Sequence, residues 1–183
     1  MGVYAYFLYK YLGNDYFNPN EMYSFFIQIA VFTLLIPLTL LYFFISIGFI
    51  DSIMIKDVSQ RKIPLLIMLF VLIFFINKSE FLNLIPVVYN FFKAGIVAIF
   101  IAIILTYFKV KVSLHLISIA SITCLVFFLG ITFESNFIPY LSFFTLMIGC
   151  VASSRLYLKA HTIKELVYGF FIGLSTQIIV FLV

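Results

Sequence analysis

Long apolar runs alternate with short polar strips along the whole chain, and that alternation is its strongest signal. Residues 22–50, 63–77, 87–108, 114–133, 137–153 and 166–183 are apolar almost throughout. A helix needs about 20 apolar residues to cross the hydrocarbon core of a bilayer. Each run therefore predicts a transmembrane helix, with 63–77 the shortest. The first run is long enough to tilt, and Pro37 within it predicts a kink. Between the runs lie a polar strip at 51–62, a hairpin around Lys78, Glu80 and Asn83, a strip at 109–115, a turn at 134–136 and a strip at 154–165.

The expected fold class is all-α, a polytopic integral membrane protein with about six transmembrane helices. A single membrane domain, 1–183, accounts for the chain: an interfacial N-terminal segment, 1–21, precedes a transmembrane core, 22–183. The N-terminal segment carries Tyr4, Tyr6, Tyr9, Tyr11 and Tyr16, broken by Asn14-Asp15 and Asn18-Pro19-Asn20. It lacks the basic start and small-residue cleavage site of a signal peptide, and tyrosines suit headgroup depth.

Composition agrees with lipid as the main solvent. The chain is 65% hydrophobic and 10% charged, with a mean hydropathy of +1.23. A soluble domain carries about a quarter charged residues. Cys124 and Cys150 both fall inside apolar runs, which reads them as small packing or lipid-facing residues. With two cysteines and two histidines, the chain is too poor in zinc ligands for a structural zinc site. Neither a basic tract nor a nucleic-acid motif is present, so nucleic acid is not an expected partner.

Charge placement carries more than the net +4. Two spans separate successive major strips, so all three emerge on one face of the membrane. Lys56, Arg61, Lys62, Lys109, Lys111, Arg155, Lys159 and Lys164 stand there against Asp51, Asp57 and Glu165, a balance of +5. The other face balances to −1, with Lys10, Lys78 and Lys93 against Asp15, Glu21, Glu80 and Glu134. This parity depends on 63–77 crossing fully.

Both histidines lie in these strips, each with a serine and cations nearby: Lys111-Val112-Ser113-Leu114-His115, and Ser154-Arg155 followed by His161 and Glu165. Cations to hold a phosphate, one imidazole to attack and one to protonate a leaving group would make a phosphoryl-transfer site. Were the chain helical from His161, Glu165 at i+4 would share its face and could fix the tautomer of the ring. A plainer role is also open to Glu165, because Thr162-x-x-Glu165 has the spacing of a helix capping box. Lys109, Lys111, Lys159 and Lys164 equally suit headgroup anchors.

Ser154-Arg155-x5-His161-x3-Glu165 resembles the third signature of the type-2 phosphatidic acid phosphatase superfamily, Ser-Arg-x5-His-x3-Asp, with Glu in place of Asp. The Ser113-Leu114-His115 stretch resembles the second signature, Pro-Ser-Gly-His, keeping Ser and His. The first signature, Lys-x6-Arg-Pro, is matched by Lys56 and Pro64, with Ile63 at the Arg position and Arg61 just upstream. The resemblance implies a metal-independent membrane phosphatase, without cofactor, acting on a lipid phosphate such as phosphatidic acid or a polyprenyl diphosphate. In that family pattern His161 is the nucleophile, Glu165 orients it, and His115 is the acid. Arg155, Ser113 and Lys56, with Arg61 as substitute, hold the phosphoryl oxygens.

The implied partners are this substrate and membrane lipids, and the expected location is a bacterial inner membrane. Two alternatives remain: a non-enzymatic protein whose basic face binds anionic lipid, and a family member that keeps the fold without the activity. Orientation stays open as well. The positive-inside rule assigns the +5 face to the cytoplasm, yet a phosphate site is basic for its own reasons.

Overall fold

A computed structural model describes residues 19–52, 55, 57–133 and 136–183, with side chains from Tyr23 onward except Asn83 and Leu84. The proposed interfacial segment 1–21 and Lys56 thus fall largely or wholly outside the described residues. The chain is all-α, and among the described residues six helices are long and apolar enough to cross a membrane.

The first of these, Tyr23–Ser46, runs through α1 (Pro19–Ala30), a π-helical turn (Val31–Leu35) and α2 (Ile36–Ser46). Pro37 explains the π turn. It has no N–H to give the carbonyl four residues back, so the ladder opens and Ile36 N–H reaches Val31 O instead. The anticipated irregularity is therefore placed in the turn before the proline.

The second span, Ser59–Lys78, settles the short run at 63–77. A 3₁₀ turn, Ser59–Arg61, leads directly into α3 (Lys62–Lys78) and brings the helix to full crossing length. Asp57 starts this turn: it accepts Ser59 N–H at 2.9 Å and also accepts from the Ser59 hydroxyl. A short helix, α4 (Glu80–Leu84), precedes α5 (Pro86–Tyr107), α6 (Leu114–Thr132), α7 (Ile138–Tyr157) and α8 (Ile163–Leu182).

Helices α5, α6 and α8 pack together as the centre of the bundle, with α3 on the outside of α5 and α7 on the outside of α6. Leu72, Phe75, Val88 and Phe92 fill the α3–α5 interface. Leu125, Leu129 and Phe137 join α6 to the start of α7. Ala98, Ala102, Val112 and Ile117 pack beneath the polar strips.

Helices α6 and α8 approach one another to backbone distance. A Cβ on Gly169 would lie 2.6 Å from Ser113 O, and one on Gly173 would come closer still to Ile117 O. Both glycines face backbone, which cannot swing aside. The Ser121 hydroxyl donates to Gly173 O at 3.3 Å across the same seam. Gly169-x3-Gly173 is thus a small-x3-small contact of the kind that lets membrane helices draw together. Since Gly169 meets residue 113 and Gly173 meets residue 117, α6 and α8 run parallel, their N-termini side by side.

Helices α2, α5 and α7 all end at this face in the same way. Phe49 N–H returns to Phe44 O, Val110 N–H to Leu105 O and Ala160 N–H to Arg155 O. These are Schellman closures, and each needs one residue of left-handed backbone. Gly48 supplies it in the first, but Lys109 (φ 59°) and Lys159 (φ 49°) supply it in the others. A non-glycine residue costs roughly 1–2 kcal/mol there. A cation beside the negative end of a helix recovers part of that cost.

The α6–α8 seam yields a sharp contrast between glycines. Helical Gly→Ala normally stabilises by about 1 kcal/mol. Gly95 has open space around its Cβ position, so Gly95→Ala should hold or raise the melting temperature in detergent. Gly173→Ala should lower it, at a cost of roughly 1–3 kcal/mol from the forced separation of the helices.

Candidate functional site

The three polar strips meet at one end of the bundle and are bonded to one another. Arg61, from the first strip, is 7% exposed. Its Nε donates to Ile55 O and its Nη1 to Val112 O, both at 3.0 Å. From the second strip, Ser113 N–H donates to Glu165 O at 3.2 Å and Lys111 Nζ to Ala160 O at 2.7 Å. The parity read from the sequence therefore holds for the described strips.

His161 does not begin the last helix. Thr162 is the N-cap of α8, with extended backbone, and His161 stands one residue before it. The expectation of helix from His161 is corrected accordingly, while the contact it was meant to explain is present: Nδ1 lies 2.7 Å from Glu165 Oε2. The bend at the N-cap brings the ring over the first turn. Glu165 also closes the capping box, with the Thr162 N–H to Oε2 and the Glu165 N–H to Thr162 Oγ1 distances both 3.4 Å. The two sequence readings of Glu165 are both met by one side chain. The pair is well shielded, with the His161 side chain 6% and the Glu165 side chain 21% exposed.

A carboxylate has no proton to offer, so Nδ1 carries the hydrogen and Nε2 keeps its lone pair. Burial holds the His161 pKa below the usual histidine value. The hydrogen bond to Glu165 opposes this, the nearby charges of Arg61 and Lys111 reinforce it, and the Glu165 charge opposes it again. Near neutral pH the ring is therefore neutral: an oriented base or nucleophile.

His115 sits in the first turn of α6, exposed, within electrostatic range of Arg155, His161 and Arg61. Arg155 lies in the last turn of α7, which continues to Tyr157 because the Schellman closure, rather than the polarity of Ser154-Arg155, ends it. The run expected over 137–153 is thus longer at its end, and Arg155 is helical. Its Nε is buried without a hydrogen-bond partner among the described residues. An orphaned buried guanidinium donor costs on the order of 1–3 kcal/mol or more, and such groups mark binding sites for anions or water.

The anticipated phosphate ligands divide. His161 is paired with Glu165, and His115 lies within electrostatic range of both His161 and Arg155. Arg61 comes close too, but two of its donors are committed to backbone carbonyls. Ser113 is fully buried as the N-cap of α6, its hydroxyl accepting Leu116 N–H at 3.4 Å. Lys56 lies outside the described residues. Lys159 and Lys164 are exposed, as headgroup anchors would be. Reasoning from the sequence missed the work of Lys111 and of Gly169-x3-Gly173. The glycine spacing was a visible signal for the seam, while nothing in the sequence pairs Lys111 with Ala160.

Three helix N-termini, those of α3, α6 and α8, open toward this end, and partial positive charge at each suits an anion. With Arg61 buried and Arg155 and Lys111 half-buried, this end of the bundle concentrates positive charge around a neutral imidazole.

His161 should titrate below 6.5 in the folded protein, and Glu165→Gln should lower it further by removing the charge that favours imidazolium. Histidine-labelled NMR in micelles reads this directly, since the chain has only two histidines and His115→Ala assigns them. A midpoint for His161 above 6.5 would contradict the burial argument. No protein-family model matches the chain, and no curated protein or solved structure does either.

Proposed function

We propose that this protein is a membrane-embedded hydrolase of lipid phosphates, of the phosphatidic acid or polyprenyl diphosphate class, working through a phosphohistidine in a bacterial inner membrane. One observation carries the reading: the shielded, carboxylate-oriented His161 acts electrostatically on His115, and so does Arg155, whose buried Nε has no partner among the described residues. The resemblance to the type-2 phosphatidic acid phosphatase signatures points the same way.

In this scheme Arg155 holds the phosphoryl oxygens, and the helix N-termini share the charge that grows on them. His161 Nε2 attacks phosphorus, a P–N bond forms, and the P–O bond to the lipid breaks. The negative charge of the bound phosphate favours the protonated form of His115, which gives its proton to the departing oxygen. Glu165 keeps Nδ1–H aimed at itself and steadies the positive charge of the phosphorylated ring. His115, now neutral, takes a proton from water as that water attacks phosphorus. The P–N bond breaks, and inorganic phosphate and free His161 are restored. No metal is needed, because imidazole is the nucleophile and the cations are side chains.

A second reading, binding of anionic lipid without turnover, draws on the commitment of Arg61 and Ser113 to backbone partners. The two readings differ in what each histidine does. Purified protein in detergent should release phosphate from a lipid phosphate in the presence of EDTA. His161→Ala should trap no acid-labile phosphate. His115→Ala should lose about 10²–10⁴-fold with a lipid alcohol as leaving group and much less with an aryl phosphate, which needs little protonation. Equal residual rates in the two variants with both substrates would leave lipid binding as the function.

A further inference from the structure

Lys111, like Arg61, is a cation of the site whose placement a membrane anchor does not explain. An anchoring lysine extends toward headgroups. Lys111 is half-buried, and its ammonium turns inward to donate to Ala160 O at 2.7 Å, across 49 residues of sequence. Ala160 is itself buried, and its N–H closes the end of α7 on Arg155 O. The peptide group between Ala160 and His161 is rigid and planar. Holding Ala160 O therefore fixes the plane from which the His161 Cα departs, at the joint between the helix bearing Arg155 and the helix bearing Glu165.

We propose that Lys111 is a positioning residue for His161: it anchors the peptide that carries the histidine and keeps a fixed positive charge beside the ring. The inference rests on the reading of His161 as the reacting group. The charged and titratable groups facing His161 come from every neighbouring element: Glu165 on α8, Lys111 from the α5–α6 connection, Arg61 at the start of α3 and His115 on α6, with Arg155 on α7 acting on His115. Glu165 favours the charged ring, and Arg61 and Lys111 oppose it. A lysine at 111 thus offsets the carboxylate. His161 can keep the orienting bond to Glu165 without being driven to the protonated, unreactive form. A neutral donor could anchor the peptide but could not provide that offset.

Three variants separate the two tasks. Lys111→Arg keeps both donor and charge, Lys111→Gln keeps a donor alone, and Lys111→Met keeps neither. In micelles, the NMR titration of His161 should move to higher pH in Lys111→Met and Lys111→Gln and stay near its original midpoint in Lys111→Arg. Phosphate release near pH 7 should fall roughly 10- to 100-fold in Lys111→Met, through a misplaced and more protonated ring. Its acid limb should move up with the titration, and Lys111→Arg should recover most of the rate. An unmoved midpoint in a folded Lys111→Met protein would overturn the proposal, as would an Arg variant that shifts as far as Met. If Lys111→Met does not fold, the difference in midpoint between the Gln and Arg variants decides in the same way. Absence of phosphate release from the unsubstituted protein would sink the hydrolase reading and leave the titration result standing by itself.

Discussion

The contact between Gly169, Gly173 and the backbone of α6 governs everything built above it. Only at that separation can Ser113 N–H reach Glu165 O, and that bond fixes the height of α8 against α6. His115 rides on one helix and the His161–Glu165 pair on the other, so the relation between the two imidazoles is set by two missing side chains lower in the membrane. Packing of this kind suits a bilayer, where apolar burial gives helices little reason to associate and close backbone approach takes its place.

Around that seam the strips are fastened mainly through carbonyls. Arg61 takes Ile55 O and Val112 O, and Lys111 takes Ala160 O. Charged donors buried at the end of a helical bundle would be costly without acceptors, and loop carbonyls are what the turns have to offer. Ile55 illustrates the cost: a β-branched residue at φ 37° is strained backbone, held by Ser52 O on its N–H and by Arg61 on its carbonyl.

The six spans were legible because the polar strips between them are so sharply marked in an apolar chain. The meeting of the strips that carry His115, His161, Arg155 and Glu165 was legible for a different reason, since parity placed all three strips together before any contact was known. Helix ends were less so. Polarity suggested that α7 stops before Ser154 and that helix resumes at His161, whereas the left-handed turn at Lys159 and the cap at Thr162 decide both. A lysine in a glycine position gives no local sign of itself. The roles of Arg61 and Ser113 were hidden for a related reason: a polar side chain in a loop can serve a ligand or the backbone, and only the fold chooses.

Arg155 is carried by a helix with no buried residue of its own. Helix α7 is held at its beginning, where Phe137 packs against Leu125, Leu129 and Gly130, and most of its remaining surface is left uncovered by the other helices. It is a lever pivoted far from the cation it bears. Helices adjust to bilayer thickness by tilting, and a change of about 10° over a lever of ~26 Å carries the tip by roughly 4 Å. The Lys111 tie at Ala160 restrains that swing on the side of the histidines. The acyl chains around α7 then form part of the mechanical frame of the site, and the distance between guanidinium and imidazole becomes a property shared by the protein and the thickness of the sheet it lives in.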